Sequence, residues 1–217
     1  MADKQDLTSG FPRIDLGHEQ ASAFLESCLR GRVPALLFTG PEGSGKEYTA
    51  INFARRLCCG KDPKCAIDGE PCESCKAAFH LEHPGIDIVY PTPTQGSGEK
   101  EGDDEGEVGK ILEEKREDIF AVPAHAKKVS IRIARARAVI RRANSKPFGS
   151  PYNVFIIVDA HTMREEAQNA LLKLVEEPPD RSVLILITPN PDTILPTIRS
   201  NTTGRPSDSR SFARTPR

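Results

Sequence analysis

Four short runs of nearly unbroken apolar residues punctuate the chain. They are ALLFTG at 35–40, IDIVYP at 86–91, NVFIIVDA at 153–160 and VLILIT at 183–188. Continuous apolar runs of this length predict strands buried on both faces. Between them the apolar spacing becomes helical. Ala21, Phe24, Leu25 and Leu29 fit one helix face within 17–31, and Ile133, Ala136, Ile140 and Ala143 fit another within 130–143. EYTAINFARRL (47–57) and MREEAQNALLKLVEEPP (163–179) read as further helices, the second stopped by a proline pair. Strands alternating with helices predict an α/β fold, a parallel sheet with helices on both faces.

One stretch breaks the pattern. Residues 94–110, TQGSGEKEGDDEGEVGK, are Gly-rich, acidic and nearly free of apolar groups, and the acidic bias runs on to 118. Such a segment buries too little apolar surface to offset its ordering entropy, so 94–118 is expected to be a flexible acidic loop. The 217 residues, 37% of them hydrophobic, allow one domain of ordinary size. A net charge of -1 argues against a partner selected by bulk charge. Its distribution matters more: Lys127 to Arg142 carries seven basic residues and no acidic one. That stripe could contact DNA phosphates, pair with the acidic loop, or form a solvated helix face. No apolar run is long enough to span a membrane, and the N-terminus lacks the apolar stretch of a signal peptide, so a cytoplasmic protein without a membrane partner is expected.

The first apolar run ends in GPEGSGKEYT. Gly40, Gly45 and Lys46 match the G-x-x-x-x-G-K of a phosphate-binding loop, with Gly43 inside it. A strand before and a helix after supply the right context, because backbone N–H groups at a helix N-terminus cradle phosphate oxygens. Glu47 stands where a Ser or Thr hydroxyl normally holds Mg²⁺. Tyr48 cannot readily replace it, because the next helical position points about 100° away. Asp159 closes the third apolar run, where a strand-tip carboxylate can hold the metal. His161, two residues on, is displaced from that position.

Five cysteines fall between 58 and 75, with Cys28 apart on an apolar helix face. Clustered cysteines in a reducing compartment point to a metal more than to disulfides. Cys72 and Cys75 form the C-x2-C knuckle common in zinc sites. A redox pair at these two positions is the alternative. His80 and His83 lie close by, but the cysteines suffice as ligands.

GHEQ near the start, LLFTGPEGSGK, the cysteine cluster, HPGIDIVYP, VFIIVDAHTM, AQNALLKLVEEPP and LILITPNPDTILPTIRS together resemble the clamp-loader branch of the AAA+ ATPases. The likeness is greatest to bacterial DNA polymerase III delta prime subunits and covers roughly 14–200. It implies an AAA+ domain over 1–200 with a four-cysteine zinc insert at 58–75, in which Cys59, Cys65, Cys72 and Cys75 hold structural Zn²⁺ and Cys58 competes with Cys59. It implies an ATP/Mg²⁺ site on Gly40, Gly43, Gly45, Lys46, Glu47, Tyr48 and Asp159, with Thr188 and Asn190 in the sensor region. It implies partners: the other subunits of a hetero-pentamer, the sliding clamp, and primed DNA through the complex.

Two departures from the family argue against ATP turnover by this chain: Glu47 stands where active relatives carry a metal-binding hydroxyl, and Ala160 where they carry Glu. Asn201 stands where they carry the arginine that completes a neighbouring subunit's ATP site. The tail at 201–217, NTTGRPSDSRSFARTPR, reads as disordered or non-native. The fifth strand and the lid and collar domains are then expected to be missing, as in a truncated chain, leaving ALLFTG an open sheet edge. An active motor ATPase of the gamma/tau kind and a zinc-dependent nucleic-acid-binding module are the alternatives.

Overall fold

The apolar runs assemble side by side. In the computed structural model, which describes residues 19–31, 33–61, 65, 70–94, 103–121 and 128–203, four of six strands form one sheet. These are β1 (Ala35–Thr39), β2 (Ile86–Val89), β5 (Asn153–Ile157) and β6 (Ser182–Thr188), in the order β1-β6-β5-β2 and all parallel. β3 (Thr92–Pro93) and β4 (Val129–Ser130) pair antiparallel beside it.

Alternate side chains of each strand enter different cores, as a pleat requires. Leu36, Phe38, Ile88, Val154, Ile156, Val183, Ile185 and Ile187 face one layer. That layer contains α1 (Glu19–Gly31), α2 (Lys46–Cys58) and α4 (Asp103–Glu117). Ala35, Val89, Phe155, Ile157, Leu184 and Leu186 face the other, made by α5 (Ile133–Ala143), α6 (Glu165–Glu176) and α7 (Pro196–Asn201). The short α3 (Glu73–Phe79) packs on α2. Both faces of the sheet are covered, as the apolar runs predicted. No described helix is long and apolar enough to cross a membrane.

Two expectations need correction. The acidic stretch 94–118 is not a loop throughout, because α4 occupies Asp103–Glu117. Val108 and Ile111 are buried in the first core, and Leu112 and Ile119 pack against it. Spacings of three and four residues put Val108, Ile111 and Leu112 on one helical face, and that stripe anchors the helix despite its polar composition. Among the described residues, α4 and α5, which carry most of the acidic segment and most of the basic stripe, lie on opposite faces of the sheet.

The second correction concerns the tail. Thr203 joins β1 on its outer edge through a parallel bridge to Leu36. Its N–H donates to Ala35 O at 2.9 Å, and its carbonyl accepts the Leu37 N–H at 3.5 Å. Sheet pairing therefore begins beyond residue 200, where a fifth strand would start, and the ALLFTG edge is covered at that point. The rest of the tail, 204–217, lies outside the described residues.

Candidate functional site

β1 delivers the chain to the phosphate loop at the C-terminal end of the sheet. Gly43 (φ 71°) and Gly45 (φ 77°) take left-handed conformations there. A side chain would be strained at both, so glycine lets the loop curl before α2 begins. Lys46 folds back into that curl. Its Nζ donates to Gly40 O at 2.8 Å, Pro41 O at 2.5 Å and Ser44 Oγ at 3.0 Å. Burial lowers the Lys46 pKa, while the carboxylates of Asp159 and Glu42 act in the opposite sense. The loop thus has the glycines, helix N-terminus and ammonium that a phosphate chain needs.

Glu47 is committed elsewhere. Its Oε1 accepts the Tyr90 hydroxyl at 2.5 Å, and its Oε2 accepts Lys115 Nζ at 2.7 Å. Lys115 comes from α4, and its side chain is 4% exposed. Burial, then the adjacent Glu47 charge, pushes the Tyr90 pKa well up, so the phenol remains a donor. Each carboxylate oxygen of Glu47 thus already has a donor, one from β2's end and one from α4. Tyr48 turns away into a buried position, its ring 5.4 Å from that of Phe120 just beyond α4. Thr49 Oγ1 donates to Gly45 O at 2.9 Å.

Asp159 follows β5 in a left-handed conformation (φ 49°), and its carbonyl accepts both the N–H and the hydroxyl of Thr162 at 2.8 Å. This turn buries Ala160. Thr188 ends β6 opposite Thr39 of β1, beside the loop. Its Oγ1 accepts the Asn190 N–H at 3.0 Å, while Asn190 itself is exposed. The Thr188 hydroxyl therefore satisfies the turn after its strand.

Four sulfurs converge at the far end of α2. Those of Cys59, Cys65, Cys72 and Cys75 lie within 4.8 Å of one another, with separations of 3.3–3.9 Å for Cys59–Cys65, Cys59–Cys72, Cys65–Cys72 and Cys65–Cys75. Four thiolates about 2.3 Å from a tetrahedral Zn²⁺ would stand about 3.8 Å apart, so the donor set fits that ion. Cys58 points into the first core, 3.7 Å from Tyr152 O, where burial pushes its thiol up to about 11. The chain thus separates the two neighbouring cysteines, with Cys59 in the cluster and Cys58 in the core.

Around the cluster, Arg55 of α2, 2% exposed, donates to Cys75 Sγ at 3.3 Å and lies over the Phe79 ring. His83 accepts the Gly85 N–H on Nδ1 at 3.0 Å, which leaves Nε2 to donate to Ser74 Oγ at 2.9 Å. It is a bridging residue, not a ligand.

A family model described as "DNA polymerase III, delta subunit" matches residues 17–204. The chain belongs to this DNA polymerase III delta-subunit family. Among curated relatives, the gamma/tau subunit of DNA polymerase III from Mycobacterium tuberculosis (strain ATCC 25618 / H37Rv) is 33% identical over 189 residues, 86% of this chain and 27% of that protein. The delta' subunit from Bacillus subtilis is 28% identical over 171 residues, 76% of this chain and 39% of that protein. The chain spans well under half the length of these relatives. A gamma subunit-related protein of Thermotoga maritima has a solved structure with 20% identity and a TM-score of 0.47, covering 83% of this chain and 44% of that one.

Reading the sequence of this DNA polymerase III delta-subunit family member misses two site residues, Tyr90 and Lys115. Tyr90 ends a strand that the apolar pattern predicts, but nothing in the sequence pairs it with Glu47. Lys115 lies in the run expected to be a loop, and the apolar positions 108, 111 and 112 are the signal that could have placed it. A cavity of about 540 Å³ also escapes the sequence. Lys128, Ser130, His161 and Arg164 help line it beyond Asp159. Ser130 Oγ and His161 Nδ1 are buried there without a hydrogen-bond partner among the described residues.

Proposed function

We propose that this protein is a delta prime-like subunit of a DNA polymerase III clamp loader, helping to place the sliding clamp on primed DNA in the cytoplasm. Its own phosphate loop does not turn over ATP. The observation that carries the second statement is Glu47, whose two carboxylate oxygens are taken by Tyr90 and Lys115 at the position where a motor subunit presents a metal-binding hydroxyl. Ala160 adds to it, since a buried methyl group cannot polarise an attacking water. The family match supports the first statement.

In this reading Cys59, Cys65, Cys72 and Cys75 hold structural Zn²⁺, a closed four-ligand site that supplies stability and no catalysis. Thr188 and Asn190 then have no nucleotide to sense through hydrolysis and serve the strand end. The partners are the other clamp-loader subunits, and through them the clamp and primed DNA. Size-exclusion chromatography of the full chain mixed with those subunits tests the assignment. Co-elution in one hetero-oligomer is the expected result, and separate elution at micromolar concentration counts against it.

A second reading has one specific observation in its favour: the gamma/tau relative is the more similar of the two compared above. An active motor would need a metal at Glu47, which the ion pair with Lys115 opposes. Clamp- and DNA-stimulated ATP hydrolysis separates the two readings.

A further inference from the structure

Arg55 carries a permanent charge into the interior. A guanidinium keeps its proton in proteins, and a buried charge needs a partner. Arg55 is 2% exposed, yet no carboxylate pairs with it among the described residues. Its Nε is buried there without a hydrogen-bond partner, and its Nη1 donates to Cys75 Sγ at 3.3 Å. A neutral thiol is a weak acceptor and carries no charge to answer it. The Phe79 ring, 5.5 Å from the guanidinium carbon, offers only its π face. Neighbouring basic side chains are committed elsewhere: Arg56 pairs with Glu26, and Lys76 with Glu73 at 2.9 Å. The cysteine cluster has the opposite need. Four thiolates around a divalent ion leave two excess negative charges. Cys75 is 0% exposed, so water does little to screen them on that side.

We propose that Arg55 is the built-in counter-ion of the zinc centre: it hydrogen-bonds the Cys75 thiolate and offsets one of the two excess charges. The proposal rests on the four-cysteine zinc reading and adds a positioning residue from outside the cluster. Arg55 comes from α2 and Cys75 from α3, so the contact also ties these two helices together through the metal centre. Each partner offsets what burial of the other costs. Packing alone does not call for arginine here. A methionine of similar length could lie against Phe79 and would leave no buried donor unsatisfied.

Metal titration of the full chain tests this. The reduced chain is freed of metal by acid and desalting and returned to neutral pH. It is titrated first with Co²⁺, read by visible absorption, and then with Zn²⁺, which displaces the cobalt. Wild type is compared with Arg55→Lys, which keeps the charge, and with Arg55→Gln and Arg55→Met, which remove it. The two neutral variants are expected to bind zinc about tenfold or more weakly, as happens when a group behind a metal ligand is lost. Arg55→Lys is expected to lie between them and wild type, because its ammonium restores the charge without the planar fork. Zinc binding by Arg55→Met within about twofold of wild type overturns the proposal, as does Arg55→Lys binding no better than Arg55→Met. Thermal melts of the zinc-loaded chains cover a failure to fold. A cooperative melt lost only in the neutral variants supports the proposal, whereas one lost in all three shows that shape rather than charge matters and overturns it. If the wild-type chain takes up no stoichiometric metal, the zinc reading falls and the proposal with it. Metal uptake indifferent to the charge at position 55 overturns the proposal alone.

Discussion

At the scale of single residues, neighbours in sequence have unrelated tasks. Cys58 and Cys59 are adjacent, yet one is a core thiol and the other joins the four-sulfur cluster. Cys59→Ser is expected to abolish stoichiometric zinc in a metal analysis of the purified chain. Cys58→Ser should keep the metal while lowering the melting temperature, because it places a hydroxyl in an apolar layer. Equal zinc loss in both variants would contradict the separation. The choice between them was not legible in the sequence, since spacing allows either; the turn of α2 decides it.

His83 gives a pH dependence. Burial lowers its pKa below the ordinary value of 6.5, so the folded state favours the neutral ring. Above 6.5 the ring is neutral in both states and its bonds to Gly85 and Ser74 are fully available. As pH falls below 6.5 the unfolded chain takes up a proton that the folded chain resists, and stability declines toward the folded pKa. Thermal melts of the zinc-loaded protein should show this decline between about pH 7 and 5, and His83→Gln should flatten it. An unchanged slope in the variant would show that other groups control the acid limb.

At the scale of elements, the four main strands were legible because each is apolar on both faces, which no exposed loop can tolerate. Helix α2 was legible from the loop that precedes it. Helix α4 was not, because composition averages over the whole segment while burial needs only a stripe. Val108 and Ile111 anchor it, and Lys115 then reaches Glu47 from the same helix. Ile111→Ala is expected to cost about 2–4 kcal/mol in denaturant unfolding, as for other buried aliphatic truncations. A change below about 0.5 kcal/mol, the usual range for a surface site, would mean that α4 does not dock in solution.

At the scale of the molecule, the strand order β1-β6-β5-β2 leaves the outer side of β1 as an edge, and Thr203 begins to pair along it. Reading the tail from composition misses this, because a single bridging residue has no periodicity to detect. Nor could the apolar runs alone give the order: neighbouring strands in a parallel sheet need not be neighbours in sequence, and such runs carry no pairing information. The P-loop frame was legible from its glycines and lysine, but the state of the site was not, since it depends on a lysine 68 residues away from Glu47.

The central claim is that this subunit holds its place in the clamp loader without hydrolysing ATP itself. The most direct measurement is clamp- and primed-DNA-stimulated ATP turnover by the assembled complex, comparing wild type with Lys46→Ala in this chain alone. Turnover equal within about twofold is the predicted result, since a non-hydrolysing loop contributes no catalytic site. Loss of a full site's share of turnover on Lys46→Ala, with assembly intact, would contradict it.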